Sequence, residues 1–282
     1  MTGSARAELI APPHWRAIDF ISDLHLQASE PETFNAWTRY LQTTQAGALF
    51  ILGDLFEVWV GDDVAAATAS SPDSFERQCA AHLHQAAQRL DIFFMHGNRD
   101  FLVGQEFLRQ CGATLLSDPT VLCFDQQRWL LSHGDALCLA DTDYQQFRKM
   151  VRSEAWQTEF LGKPLEERQT IARGLRAQSE ARKKLGLPVV DVDAEMAMQW
   201  LRDAGSNTLI HGHTHQPANH DMGQGLQRIV LSDWDGAALP PRAQVLQLRR
   251  PAEPAITHAK PTDLGHIKRY NIYSLSCNIH ES

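Results

Sequence analysis

Thiol chemistry is scarce in this chain. Among 282 residues there are five cysteines (Cys79, Cys111, Cys123, Cys138 and Cys277), odd in number, scattered, and without a Cys-x-x-Cys pair. That argues against a disulfide framework or a thiolate zinc site and for a reducing compartment. Long apolar runs are missing too: none approaches the ~20 residues of a membrane-spanning helix, and Met1 to His14 holds no apolar signal core. The expectation is a protein that is soluble or bound to a membrane surface, with the bacterial cytoplasm as the simplest setting. No internal repeat is visible. Nor does any stretch combine aromatic and basic residues into a strand-binding face, so a nucleic-acid partner is not expected.

What is present suits one large domain, or a domain with an insertion. A content of 43% hydrophobic and 21% charged residues is ordinary for a globular protein with a real core. The net charge of −8 is unevenly spread. Between Tyr144 and Gly186 ten basic residues face five acidic ones, so this segment carries +5 and the remainder −13. An anionic partner should therefore meet this segment.

The chain alternates short apolar runs with helical periodicities. Residues 1 to 14 read as a loose lead-in, and Trp15 to Ser22 as a strand ending at Asp23-Leu24-His25. Ser29 and Glu32 have capping-box spacing around Pro31, followed by Phe34, Trp37 and Leu41 at helical spacing. A buried strand then delivers Gly53-Asp54, and Phe75 to Leu90 predicts a helix. Ile92 to Met95 delivers Gly97-Asn98-Arg99-Asp100, and Gln105 to Cys111 predicts a short helix stopped by Gly112. Val121 to Phe124 and Arg128 to Leu131 flank Asp125-Gln126-Gln127 as a hairpin feeding His133. From Asp141 to Gly186 the spacing predicts two or more amphipathic helices, inserted between strands. Asp193 should cap a further helix ending at Gly205, Thr208 to Ile210 leads to His211-Gly212-His213-Thr214-His215, and Ile229 to Ser232 and Val245 to Leu248 close the fold. The residues from 250 to 282 show no periodicity and are expected to be poorly ordered.

Five strand ends thus offer carboxylate, amide or imidazole groups, where α/β sheets gather ligands. Each piece alone is weak: Gly-Asp and Gly-Asn are turn punctuation, and a lone histidine is more often a satisfied core residue. Gly212-His213-Thr214-His215 is the most specific, because two imidazoles two apart project to one side of an extended backbone. Together they form a cysteine-free set of hard-to-borderline ligands suited to Mn²⁺, Fe²⁺, Zn²⁺ or Mg²⁺. A carboxylate such as Asp54, shared between two ions ~3.5–4 Å apart, is what a two-metal centre requires.

In that order, Asp-x-His, Gly-Asp-x-x-Glu, Gly-Asn-x-Asp, His and Gly-His-x-His resemble the calcineurin-like metallophosphoesterases over about residues 16–249. The resemblance implies an α/β fold, a two-sheet β-sandwich flanked by helices, over residues 15–249 with a helical cap inserted at 141–186. It implies two metals, one on Asp23, His25, Asp54 and His215 and one on Asp54, Asn98, His133 and His213. Most of that superfamily has histidine after the motif asparagine; here Arg99 takes the place. With His211-Gly212-His213-Thr214-His215-Gln216-Pro217, this is similar to the UDP-2,3-diacylglucosamine hydrolase family of lipid A synthesis. That resemblance implies two Mn²⁺ ions, a lipid-nucleotide substrate and a peripheral position on the anionic cytoplasmic face of the inner membrane. It implies catalytic roles for Asp54, Asn98, Arg99, His133 and His213. It also implies substrate contacts from Asn98, Arg99, Asp141, Ser179, Lys183, Lys184 and His213. The family's asparagine beyond Ser179 is replaced within Arg182-Lys183-Lys184, so Lys183 and Lys184 compete for one lysine role. A guanidinium cannot serve as a general acid near neutral pH, but it can clamp a diphosphate. Apolar residues of the insertion could line a slot for acyl chains, or simply form a helical hairpin. Two rival functions remain at this point: a broader phosphodiesterase on nucleotides, and a metal-free interaction scaffold.

Overall fold

The structure, a computed structural model, describes residues 6–66, 74–184, 190–251 and 267–272, with the side chains of 178–184 left out of the description. The strands are β1 (Ala7–Ile10), β2 (Ala17–Ile21), β3 (Ala48–Leu52), β4 (Asp91–Met95), β5 (Ala113–Leu116) and β6 (Thr120–Phe124). They continue as β7 (Gln127–Leu131), β8 (Thr208–His211), β9 (Ala218–Gly223), β10 (Leu226–Val230), β11 (Gln244–Arg249) and β12 (Ile267–Asn271). The helices are α1 (Pro31–Thr43), α2 (Phe75–Ala87), α3 (Gln105–Cys111), α4 (Thr142–Val151), α5 (Glu154–Leu161), α6 (Leu165–Lys184) and α7 (Ala194–Ala204).

Two six-stranded mixed sheets face each other, in the orders β1-β6-β7-β8-β10-β9 and β12-β11-β2-β3-β4-β5. The central strands are buried on both faces, which is why their sequences are apolar runs rather than alternations. In β3, Ala48, Phe50 and Leu52 join the core between the sheets, while Leu49 and Ile51 join the core beneath α1, α2 and α3. A third cluster lies under α7. The expected sandwich with helices on its outer faces is therefore the observed architecture.

Local signals account for much of this. Asp125 and Gln126 both have positive φ (53° and 61°), the two-residue turn that suits a right-twisted hairpin between β6 and β7. Asp193 accepts the Met196 N–H as N-cap of α7, and Gly205 ends that helix in the left-handed region. The capping box does not form. Pro31 occupies the first helical position, so Glu30 becomes the N-cap, without a side-chain capping bond, and Ser29 lies one residue too early. The lead-in is not loose throughout, since β1 pairs parallel with β6 along the sheet edge. The tail is likewise structured where described: β12 pairs antiparallel with β11, and its Arg269 donates to Val230 and Ala218 carbonyls of the other sheet. Residues 252–266 and 273–282 of the tail lie outside the described residues.

Between β7 and α7 the chain forms three helices, α4 to α6, over the segment expected to be an inserted cap. Part of its apolar stripe packs on the main domain: Phe160 is buried in the core beneath α1–α3, and Trp156, Leu165 and Ile171 pack against that core. Trp156 stacks on Phe160 with centroids 4.6 Å apart. Arg168 anchors α6, donating to the Val60 carbonyl and to both carboxylate oxygens of Asp63.

One buried acid belongs to the fold rather than to the sheet ends. Asp19, on the helix-facing side of β2, accepts from Tyr40 (2.8 Å), Thr44 (2.6 Å), Gln247 (2.7 Å) and Tyr270 (3.3 Å). Burial raises its pKa, against the hydrogen bonds that favour the charge. Because the folded value lies above the unfolded one, charging Asp19 opposes folding, and stability from this group is lost as pH rises above the ordinary carboxylate range. Asp19→Ala should cost about 3 kcal/mol by orphaning donors. Asp19→Asn should keep the network, since hydroxyls can accept from the new amide, and should gain on wild type as pH rises. Denaturation midpoints across pH would check this; parallel curves for the Asn variant and wild type would refute it.

Candidate metal centre

At the carboxyl ends of β2, β3, β4, β7 and β8 the chain turns sharply, and the turns meet. Asp23 (φ 55°), His25 (50°), Asp54 (54°), His213 (68°) and His215 (53°) all have left-handed backbone conformations. The only other non-glycine residues with positive φ among those described, Asp125, Gln126 and Gln224, sit in hairpin turns. Such conformations are costly for residues with a Cβ and persist where the surroundings over-determine them, as they do at functional sites. Close approach also explains two glycines. A Cβ on Gly97 would lie 2.1 Å from Asp54 Oδ1, and one on Gly212 would lie 2.3 Å from Asp23 Oδ2.

The side chains converge in two overlapping groups. Ligand atoms of Asp23, His25 and His215 lie within 4.8 Å of one another, as do those of Asp23, Asp54 and His133. His25 Nε2 and His215 Nε2 are 3.3 Å apart, and His215 Nε2 is 3.3 Å from Asp23 Oδ1. Beside them, Asn98 Oδ1 lies 3.0 Å from His133 Nε2 and 2.8 Å from His213 Nδ1. His133 Nε2 is 3.9 Å from Asp54 Oδ1. Asp23 is the carboxylate common to both groups, and Asp54 stands in the second.

Electrostatics mark the site as built for cations. Asp23 and Asp54 are 0% and 1% exposed, and burying carboxylates is unfavourable unless positive charge is near. Burial pushes the Asp23 pKa up, but the His215 hydrogen bond and the charges of His215, His133 and His25 outweigh it and hold the group ionised. Burial lowers the basicity of His133, yet Asp54, Asp135 and Asp23 raise its pKa to about 9. His213 goes the other way, to about 4, through burial and the neighbouring His133.

The donors fit a divalent ion. His133 Nδ1 must donate to the Leu52 carbonyl at 2.9 Å, because that oxygen can only accept. With its pKa raised, His133 carries a second proton on Nε2, donated to Asn98 Oδ1 at 3.0 Å in the place a metal cation would take, and His25 and His215 bring two ring nitrogens to hydrogen-bond distance. Electron pairs converge in this way around a proton or a metal, and oxygen and imidazole donors without sulfur suit Mn²⁺, Fe²⁺, Zn²⁺ or Mg²⁺.

Supporting residues outside the predicted set hold these turns. Asp100 is buried and accepts from the N–H groups of Gly97 (2.8 Å), Asp54 (3.2 Å) and Leu55 (2.7 Å), tying the β3 and β4 turns together. Ser22 donates to Asp23 Oδ2 at 2.6 Å, and the His213 N–H donates to the same oxygen at 2.9 Å. Asp135 Oδ2 accepts from Tyr144 (2.5 Å) and Arg148 (2.8 Å) of α4, seating the cap. Tyr144 in turn stacks beside the His213 ring, centroids 6.0 Å apart. Asp100 and Asp135 stand within the motif strings; only their geometry separates them from turn residues.

Of the predicted contact residues, Arg99 stands beside the centre. Its N–H donates to Asp54 Oδ1 at 2.8 Å, and its Nε is buried without a hydrogen-bond partner. Asp141 caps α4, accepting the Tyr144 N–H at 3.1 Å. The side chains of Ser179, Lys183 and Lys184 lie outside the described residues. His211, in the same string as His213, is a neutral core histidine, its pKa lowered to about 3 by burial.

The family profile described as Calcineurin-like phosphoesterase matches residues 17–217. A UDP-2,3-diacylglucosamine hydrolase from Aromatoleum aromaticum is 45% identical over 221 residues, 76% of this chain and 88% of that protein. Those from Chromobacterium violaceum (46% over 229 residues, 78% and 91%) and Cellvibrio japonicus (41% over 239 residues, 82% and 97%) are similarly related. With the motif residues gathered at the strand ends of a two-sheet fold, this chain belongs to the UDP-2,3-diacylglucosamine hydrolase family of calcineurin-like phosphoesterases.

Proposed function

We propose that this protein hydrolyses the pyrophosphate bond of UDP-2,3-diacylglucosamine, giving UMP and 2,3-diacylglucosamine 1-phosphate for lipid A synthesis. The observation that carries the reading is Arg99, whose backbone N–H donates to the ligand Asp54 and whose guanidinium Nε is buried without a partner. Two Mn²⁺ ions would be held, one by Asp23, His25, Asp54 and His215 and one by Asp54, Asn98, His133 and His213, and would supply an activated water and Lewis-acid stabilisation of phosphoryl charge. Asn98 and His213 orient the phosphoryl oxygens, and Arg99 offsets the diphosphate charge through paired N–H donors. Water oxygen adds to the α-phosphorus, and the bond to the lipid phosphate breaks, with no covalent enzyme intermediate. Asp141, Ser179 and one of Lys183 and Lys184 contact the substrate from the cap, whose apolar residues receive the acyl chains.

The same reading puts the protein peripherally on the anionic cytoplasmic face of the inner membrane. Supporting this are the +5 charge between Tyr144 and Gly186 and apolar side chains left in water, Leu239 at 96% exposure and Met150, Leu161 and Leu175 on the cap. Among the described residues no helix is long and apolar enough to cross a membrane.

The test is Mn²⁺-dependent UMP release from UDP-2,3-diacylglucosamine, beside a bis-aryl phosphodiester. Rapid cleavage of the lipid nucleotide, abolished by chelator, is expected. Cleavage of the aryl ester alone would leave the metal centre standing and remove the lipid-nucleotide reading. Arg99→Lys keeps the charge but loses the planar fork. It should lower kcat/KM for the lipid nucleotide by about 10–100-fold, the worth of a charged hydrogen bond, and the aryl ester much less. Equal losses on both substrates would count against a diphosphate clamp.

A further inference from the structure

Glu57 stands outside the ligand set, three residues beyond Asp54, and is only 5% exposed. Its Oε2 lies 3.1 Å from His25 Nδ1, while its Oε1 meets the guanidinium of Arg176 on α6. The opposite edge of the His25 ring carries Nε2, which faces His215. Placed beside Nδ1, a carboxylate favours the tautomer that carries its proton there and leaves the Nε2 lone pair free for a ligand. The backbones are joined as well: Glu57 N–H donates to the Leu26 carbonyl at 3.2 Å, and Leu26 N–H to the Leu55 carbonyl at 2.9 Å. Arg176 lies eight residues beyond the Arg168 anchor, about two helical turns further along α6.

We propose that Glu57 is a positioning residue that couples docking of the cap to the metal centre. One buried carboxylate serves two partners, a ligand histidine on the body and an arginine on the cap. With Arg176 in place the buried charge is neutralised and Glu57 is held against His25. Without it, Glu57 is a buried, half-paired carboxylate that turns away from His25 toward water. That change loosens His25. Linkage works in both directions: occupation of the His25 side holds the ring and the carboxylate, and so favours the docked position of α6. This inference rests on the metal-centre reading above.

The experiment is hydrogen exchange of α6 peptides within residues 165–177, with and without Mn²⁺, alongside calorimetric Mn²⁺ titration. It is run on wild type, Arg176→Met, Arg176→Lys and Glu57→Gln, with exchange in α7 as the folding control. In wild type Mn²⁺ should slow exchange in α6. In Arg176→Met, α6 should exchange faster at the outset and the Mn²⁺ response should vanish, with Arg176→Lys restoring part of it. Glu57→Gln should also lose the response and bind Mn²⁺ about 10–100-fold more weakly, the usual cost of removing an outer-sphere partner. If wild type binds Mn²⁺ while α6 is indifferent, or Arg176→Met responds as wild type does, the coupling is overturned and the metal centre stands. If wild type binds no Mn²⁺, the metal centre falls and the coupling with it.

Discussion

Asp54→Asn is expected to lower Mn²⁺-dependent turnover by about 10³–10⁴-fold. The arithmetic follows from losing metal-derived stabilisation of several kcal/mol at 1.36 kcal/mol per decade. The fold should survive, for a specific reason. Asparagine keeps an oxygen for the Arg99 N–H, which Asp54 Oδ1 now accepts at 2.8 Å. It also removes a buried charge that helps push the Asp100 pKa up, after burial itself. Against this stands the loss of an anion that helps keep buried His133 charged, so the metal-free variant should unfold close to the temperature of metal-free wild type. What it should lose is the upward shift on adding Mn²⁺, since a ligand stabilises only the state that binds it. Asp23→Ala and His133→Ala should abolish turnover in the same way. Thermal scans with and without Mn²⁺, with single-turnover rates, would decide the matter. A metal-loaded Asp54→Asn enzyme running at wild-type rate would sink the ligand assignment.

Asp100→Ala should do the opposite, damaging the fold and the site together. Its carboxylate accepts from Gly97, Asp54 and Leu55 and, more weakly at 3.4 Å, from Phe56, all backbone N–H groups in a buried turn. Alanine leaves those donors without partners, a loss of about 4 kcal/mol if each costs roughly 1 kcal/mol after relaxation. Since the same bonds hold the Asp54 turn against the Asn98 turn, turnover should fall at temperatures where the variant is still folded. Asp100→Asn should be intermediate in stability, because one side of an amide cannot accept. Denaturant unfolding and activity on one preparation would separate the effects. Full activity in a destabilised Asp100→Ala would show that Asp100 supports stability alone.

Much of the site is legible because its signals are local. Each ligand follows an apolar run of about five residues and sits beside a glycine or another turn residue, so strand end and ligand are read together in Gly53-Asp54, Gly97-Asn98 and Gly212-His213. The two-residue turn at Asp125-Gln126 and the cap of α7 at Asp193 are local in the same sense. Edge strands are not. β1 is largely exposed, with a burial pattern that does not alternate cleanly, and its one pairing partner among the described residues, β6, lies more than a hundred residues away in sequence. β12 is tied to β11 and, through Arg269, to the opposite sheet, contacts that no window along the chain contains. The Ser29–Glu32 spacing misled for another local reason: Pro31 starts the helix one residue later than a capping box would need.

By itself, the sequence determined the succession of strands and helices and the order of the ligands, because strand periodicity, turn chemistry and residue type are properties of short stretches; the two-sheet fold class and the departure at Arg99 followed from the family resemblance that those motifs carry. Only the tertiary structure decided which groups touch. It brought Asp23 within ligand distance both of His25 and His215 and of Asp54 and His133, made Asp100 the tie between two turns, and packed Trp156 and Phe160 of the inserted helices against the main core. It also brought Arg176 of α6 to the Glu57 that holds His25. These are contacts between residues far apart along the chain, set by how the sheets stack and where the inserted helices land, and a buried charge acquires its role only from the partner that the fold places beside it.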